Sequence, residues 1–319
     1  MTMLQYLILL LDDTAASFCH YQNNKKERRL ISLDDLKAGI LFAMKQNLMI
    51  HFVYPPYELP AEYRETIETI DHVKIMPFES RLVADADVIV FNSCQSFLEE
   101  MIEAKTNKVL ILRADKQELF QSGESLRKSI ESIKRLNIVI TDIETFTEKD
   151  FEIYERWLSD WGNSLAECYR TGKRPQINLL TDRIKLDKMN SCNAGFANIT
   201  LAPNGKFYVC PAFYNDDEAD SAGTPKTGIA LKNPQLYRLA YAPLCRLNCD
   251  AYQCKRCVWL NRKTTLEVNT PSHEQCVTAH LERNASRNFV NTIKQEGHFS
   301  GIEIPEIDFL DPFLAEYKL

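Results

Sequence analysis

Cys192, Cys210, Cys245, Cys249, Cys254, Cys257 and Cys276 put seven of the chain's ten cysteines in its C-terminal half. Four of them fall in the run CRLNCDAYQCKRC, with three, four and two residues between successive cysteines. Thiolates spaced so closely can converge on shared metal, and a folded core needs nothing of that kind. Both tetrahedral zinc and iron–sulfur clusters take thiolate-only sets, and spacing alone does not choose between them. Seven ligands make one set of four and an incomplete set of three. Structural zinc prefers a closed site, whereas an iron–sulfur cluster with one open iron tolerates three ligands.

The rest of the composition narrows the partners. A formal net charge of −6, from 38 basic against 44 acidic residues, gives a nucleic-acid or anionic-membrane partner no global support. The basic run KKERR at 25–29 reads as a solvated loop. The opening MTMLQYLILLLDD lacks the basic start of a signal peptide, and its apolar stretch is too short to span a bilayer. It reads as a buried strand, and a cytoplasmic location is expected. Thiols are kept reduced there, which favours metal chemistry over a disulfide framework.

Positioning these cysteines requires a scaffold, and residues 1 to about 180 supply an α/β pattern with parallel strands. Strands are expected at 4–11, 48–54, 72–76, 87–91, 108–112, 137–141 and 177–180. Ser32 with Asp35, and Thr147 with Asp150, mark helix starts. Phe151, Tyr154, Trp157, Leu158, Trp161, Leu165 and Cys168 form one apolar helical stripe, which assigns Cys168 to the core. Cys19 and Cys94 each follow a strand, and Cys94 opens a helix whose dipole would favour a thiolate. A lone cysteine there reads as inert, and neither belongs to a nucleophile constellation. The chain has no Gly-rich phosphate loop, no Gly-x-Ser-x-Gly elbow and no His-Glu-x-x-His helix. In ANITLAPNGKFYVC, Asn204-Gly205 predicts a tight type I′ hairpin that draws Cys192 and Cys210 towards one another.

Cys192, twelve residues, Gly205, four residues, Cys210, the four-cysteine run and then Cys276 resemble the SPASM domain of radical SAM peptide- and protein-modifying enzymes. The gaps inside the run depart from that domain's usual two, five and three. The resemblance covers about residues 190–280 and implies two auxiliary iron–sulfur clusters, expected as 4Fe-4S. It assigns Cys192, Cys210 and Cys257 to one cluster, and Cys245, Cys249, Cys254 and Cys276 to the other. The upstream half then looks like a degenerate radical SAM partial (β/α) barrel. Such a barrel needs three cysteines after its first strand, and this chain has only Cys19 there. Tyr54-Pro55-Pro56-Tyr57 stands where a glycine-rich segment is usual, so cleavage of S-adenosylmethionine by this chain alone is not expected.

The wording of LCRLNCDAYQCKRCVWLN and EVNTPSHEQCVTAHLERNAS is similar to that of the CXXX repeat peptide maturases. That resemblance implies a maturation protein for a ribosomally synthesised, cysteine-repeat precursor peptide, acting with a companion radical SAM enzyme. The alternative is a zinc-stabilised peptide-binding module without redox chemistry. No catalytic residue is assigned. His273 and His280 flank Cys276 and read as hydrogen-bonding or core residues, and packing accounts for Tyr252, Arg256 and Trp259 as well as any role at the metal. The expected domains are a degenerate barrel at 1–185, a SPASM-like iron–sulfur domain with the hairpin at 186–285, and a helix end and tail at 286–319.

Overall fold

The computed structural model describes residues 4–101, 106–186, 188–189, 191–242 and 244–296. In chain order, β1 (Tyr6–Leu10), α1 (Leu33–Gln46), β2 (Met49–Val53), α2 (Ala61–Ile67), β3 (His72–Pro77) and β4 (Val88–Phe91) come first. Next are α3 (Cys94–Met101), β5 (Thr106–Ala114), α4 (Lys116–Gln121), α5 (Gly123–Ser129), β6 (Ile133–Ile140), α6 (Glu148–Arg170), β7 (Gln176–Ile177) and α7 (Asn178–Thr181). The last are β8 (Asn198–Leu201), β9 (Phe207–Tyr208), α8 (Pro211–Asp216), β10 (Gly223–Thr224), β11 (Gly228–Ile229), α9 (Val258–Thr265) and α10 (His273–Gln295). They form two compact units that interleave in sequence, one from Met1–Phe91 with Asn193–Arg238, the other from Asn92–Cys192 with Leu239–Leu319. The expected divisions at 185 and 285 follow sequence signals instead. The tail from residue 297, expected to pack along the body, lies outside the described residues.

In the first unit the strand order is β4-β3-β2-β1-β8-β9, parallel except for the β8–β9 hairpin. β1 is buried along almost its whole length because parallel strands are covered on both faces. Helix α1 turns Leu36, Gly39, Ile40 and Ala43 inward at the spacing of one helical face. Ser32 starts it by accepting from Asp35 N at 3.1 Å.

The second unit pairs β5, β6 and β7 in parallel. Helix α6 opens with the Thr147–Asp150 capping box and buries the expected stripe, Cys168 included. It packs on α10, with Tyr169 and Phe289 edge to face at 5.2 Å. The strand expected at 177–180 ends after Ile177. The reason is Asn178, whose side-chain amide accepts from Ile138 N at 2.8 Å and donates to Ile138 O at 2.9 Å, imitating the backbone of a next strand residue while the chain turns into α7.

The hairpin exists, but its turn is not type I′. Gly205 N donates to Ala202 O at 2.9 Å and Ala202 N to Lys206 O at 3.0 Å, so Pro203, Asn204 and Gly205 form a three-residue loop. Pro203 locks φ near that of a type I turn, and Gly205 alone takes a positive φ of 74°. A Cβ there would lie 2.8 Å from the Asp35 carboxylate. Gly205→Ala is expected to lower the stability of the chain by about 1–2 kcal/mol, read from the urea unfolding midpoint.

Candidate metal centre

The loop after β1 is where a parallel α/β fold usually builds a site. Here it is closed by its own polar bonds. Ile31 N donates to Leu11 O at 2.9 Å and Asp13 N to Arg29 O at 3.2 Å, so the loop's two ends pair. The buried Asp13 carboxylate accepts from Arg29 Nε at 3.0 Å and from the Tyr214 hydroxyl. Arg29 and Lys25 each bond Glu218 at 2.5 Å, and the Lys25 ammonium stands 3.7 Å from the Tyr214 ring centre. Burial works against the Glu218 carboxylate, yet Lys25, Arg29 and Asn204 outweigh it and hold its pKa at about 2. The run at 25–29, expected as a solvated loop, therefore supplies two anchors. The residues that hold it, Tyr214 and Glu218, lie too far along the chain for local charge pattern to reveal. Cys19 is the loop's one cysteine, half-buried.

Cys94 fits the inert reading and not the thiolate that its helix dipole would favour. Its side chain is fully buried, and burial together with the Glu118 carboxylate pushes the thiol up to about 12. Glu118 also accepts from Cys94 N at 2.5 Å and Ser93 Oγ from Ser96 N at 3.1 Å, so the helix N-terminus already faces a carboxylate and a hydroxyl.

The cysteine-rich segment lies in the second unit. A wide π-helical turn, Leu244–Asn248, carries Cys245 and leads directly into Cys249. The chain then bends, with Tyr252 N donating to Asp250 O and Cys254 N to Ala251 O. Arg256 takes a left-handed φ of 44°. Cys257 caps α9, and Cys276 sits in the first turn of α10, whose start Ser272 caps. All four of Cys245, Cys249, Cys254 and Cys276 are half-buried.

Their electrostatics tie them together. Burial pushes the Cys254 thiol far up, and Cys249, Cys245 and Cys276 each push it further, while the Arg256 backbone N–H bonded to it opposes. Burial raises Cys249 to about 11 against a hydrogen bond from Ala251 N–H, and raises Cys245 against the Arg256 charge. Cys254 with three thiols around it, and backbone N–H groups bonded to Cys245, Cys249 and Cys254, fit a cationic thiolate-bound group, which binds its sulfurs deprotonated. Among the described residues no three His, Cys, Asp or Glu side chains converge as one metal ion requires.

A buried ionic frame holds this segment. Asp250, wholly buried, accepts from Arg283 Nη1 at 2.7 Å, Arg287 Nη2 at 2.5 Å and Arg183 Nη2 at 3.1 Å, while its carbonyl accepts from Arg183 Nε at 3.0 Å. Burial disfavours its charge, but the arginines outweigh that and keep the carboxylate below its ordinary range. At Cys249 the Asp250 charge opposes a thiolate and Arg283 favours one, so what the frame supplies is a fixed position for the bend. Sequence reading missed this frame. Its one trace is the four-residue step from Arg283 to Arg287, which puts both on one face of α10.

The other expected ligands are placed as follows. Cys192 N donates to Lys255 O at 3.0 Å, which sets Cys192 beside the loop that carries Cys257, whereas Cys210 caps α8 in the first unit. His280, one turn after Cys276 on α10, has Nε2 3.8 Å from Cys249 Sγ. Glu282 accepts from the Tyr154 hydroxyl at 2.9 Å, and burial pushes its carboxyl up to about 7.

Parallel strands followed by helices, with a cysteine-rich segment after them, give this chain the fold of the radical SAM maturases. Among solved structures it superposes on hexahistidine-tagged anSMEcpe with bound AdoMet, with a TM-score of 0.61 at 10% identity, covering 91% of this chain and 96% of that one. Native anSMEcpe with AdoMet and the Kp18Cys peptide gives 0.61 at 9%, covering 91% and 99%. The complex with the Cp18Cys peptide gives 0.61 at 11% with the same coverage. No family model matches the sequence, and no curated protein matches it either. Among the described residues no helix is long and apolar enough to cross a membrane.

Asp250→Asn leaves buried guanidinium groups short of a counter-charge and is expected to cost about 3–5 kcal/mol, measured by urea unfolding of the full chain. Glu282 binds its proton more tightly folded than unfolded, so it makes stability fall as pH rises from its ordinary value near 4.5 through about 7. Glu282→Gln is expected to flatten that fall in unfolding free energy measured across this range, and an unchanged slope would count against the assignment.

Proposed function

We propose that this chain is a maturation protein for a ribosomally synthesised, cysteine-repeat precursor peptide, carrying auxiliary iron–sulfur clusters and working beside a separate radical SAM enzyme. The observation that carries the reading is the gathering of Cys245, Cys249 and Cys276 around Cys254, in a segment held by the ionic frame at Asp250. The loop after β1 adds to it, because ion pairs and a single cysteine stand where a self-sufficient enzyme would hold three. The peptides bound to anSMEcpe support a peptide as the substrate class here too.

In this reading Cys245, Cys249, Cys254 and Cys276 hold one 4Fe-4S cluster, and the SPASM resemblance assigns Cys192, Cys210 and Cys257 to a second. Bound clusters supply one-electron transfer and, at an incompletely ligated iron, a place for a peptide thiolate. The chain's own contribution is to hold the thiolates. The Ala251 and Arg256 N–H groups aim at Cys249 and Cys254, Arg183, Arg283 and Arg287 fix Asp250 between them, and Cys192 is pinned to the Lys255 carbonyl.

Anaerobic reconstitution is expected to yield about eight irons and eight acid-labile sulfides per chain, falling to about four of each in Cys254→Ala. Coexpression with a cysteine-repeat precursor and a radical SAM enzyme is expected to change the precursor mass only when this chain is present. Two zinc ions without sulfide would favour the zinc-stabilised binding module instead, and a mass change that ignores the chain would remove the maturation role.

A further inference from the structure

Helix α10 carries two side chains on one face that matter to the cysteine set, Cys276 and, four residues on, His280. The ring of His280 is half-buried, and its Nε2 approaches Cys249 Sγ at 3.8 Å, within the range of a hydrogen bond to sulfur. Cys249 Sγ also receives the Ala251 N–H, so this sulfur has donors from two elements, its own loop and α10. Ser272 caps α10 at its start, which fixes the helix that carries both Cys276 and His280.

We propose that His280, with its hydrogen on Nε2, donates to Cys249 Sγ and raises the reduction potential of the cluster held by Cys245, Cys249, Cys254 and Cys276. The inference rests on the iron–sulfur reading above. Its physical basis is direct. A donor to a ligand sulfur withdraws electron density from the iron, and it stabilises the reduced cluster, which carries one more negative charge, more than the oxidised one. His280 is thus a positioning residue, acting through Cys249 and not by binding iron itself.

The test is a dithionite potentiometric titration of the reconstituted full chain, with iron and sulfide measured on every sample. His280→Leu is expected to keep its iron and to titrate at a lower midpoint potential, and His280→Gln, which retains an N–H donor, to recover part of the shift. Wild-type chain labelled with 15N-histidine is expected to show only weak nitrogen coupling to the reduced cluster. An unchanged midpoint in His280→Leu with full iron overturns the inference and leaves the iron–sulfur reading standing. Strong nitrogen coupling also overturns it, making His280 an iron ligand. Absence of acid-labile sulfide from the wild type defeats the iron–sulfur reading first, and this inference with it. Where His280→Leu does not fold, the labelled wild type and His280→Gln decide.

Discussion

The cysteine segment depends on the pairing of one buried carboxylate with three arginines. Asp250 follows Cys249 directly, so whatever fixes Asp250 fixes the bend between the second and third cysteines of the run. Arg183 comes from the turn after α7, and Arg283 and Arg287 from α10, so one side chain gathers three stretches of a single unit. Burial of such a group costs several kcal/mol per ion before the contacts return it, which makes its geometry demanding. The chemical consequence is positional: the residue next to Cys249 is held from three directions at once.

The first unit shows the converse. Its loop after β1, which occupies the position of a catalytic loop in parallel α/β folds, spends its charged residues on one another. Asp13, Lys25, Arg29, Tyr214 and Glu218 bind in a closed set, and Tyr57 donates to Asp12 at 2.8 Å. Polar bonds order this loop by themselves. In the proposed reading, metal binding falls to the cysteine segment and the parallel strands serve as its scaffold.

The strands were legible because parallel sheets bury both faces and write continuous Ile, Val and Leu runs into the chain. Six of the seven expected runs hold a strand of four residues or more, and the seventh failed because Asn178 replaces backbone pairing with its amide, which apolar periodicity does not register. The hairpin was visible from Asn204-Gly205, but Pro203 decided its turn. Short spacing drew attention to Cys245, Cys249, Cys254 and Cys257, while the grouping of the first three with Cys276 is what the SPASM resemblance implies. The ionic frame was missed, since Arg183 and Asp250 are far apart in sequence and neither sits in a motif. The basic run misled because Glu218 reaches it from another element.

All three tryptophans belong to the second unit. Trp157 and Trp161 stack on α6 with ring centres 4.5 Å apart, and Trp259 lies in the first turn of α9, two residues after Cys257. The intrinsic tryptophan emission of this protein is therefore a built-in optical probe of the second unit alone, and the unit of β1 to β4 is silent in that channel.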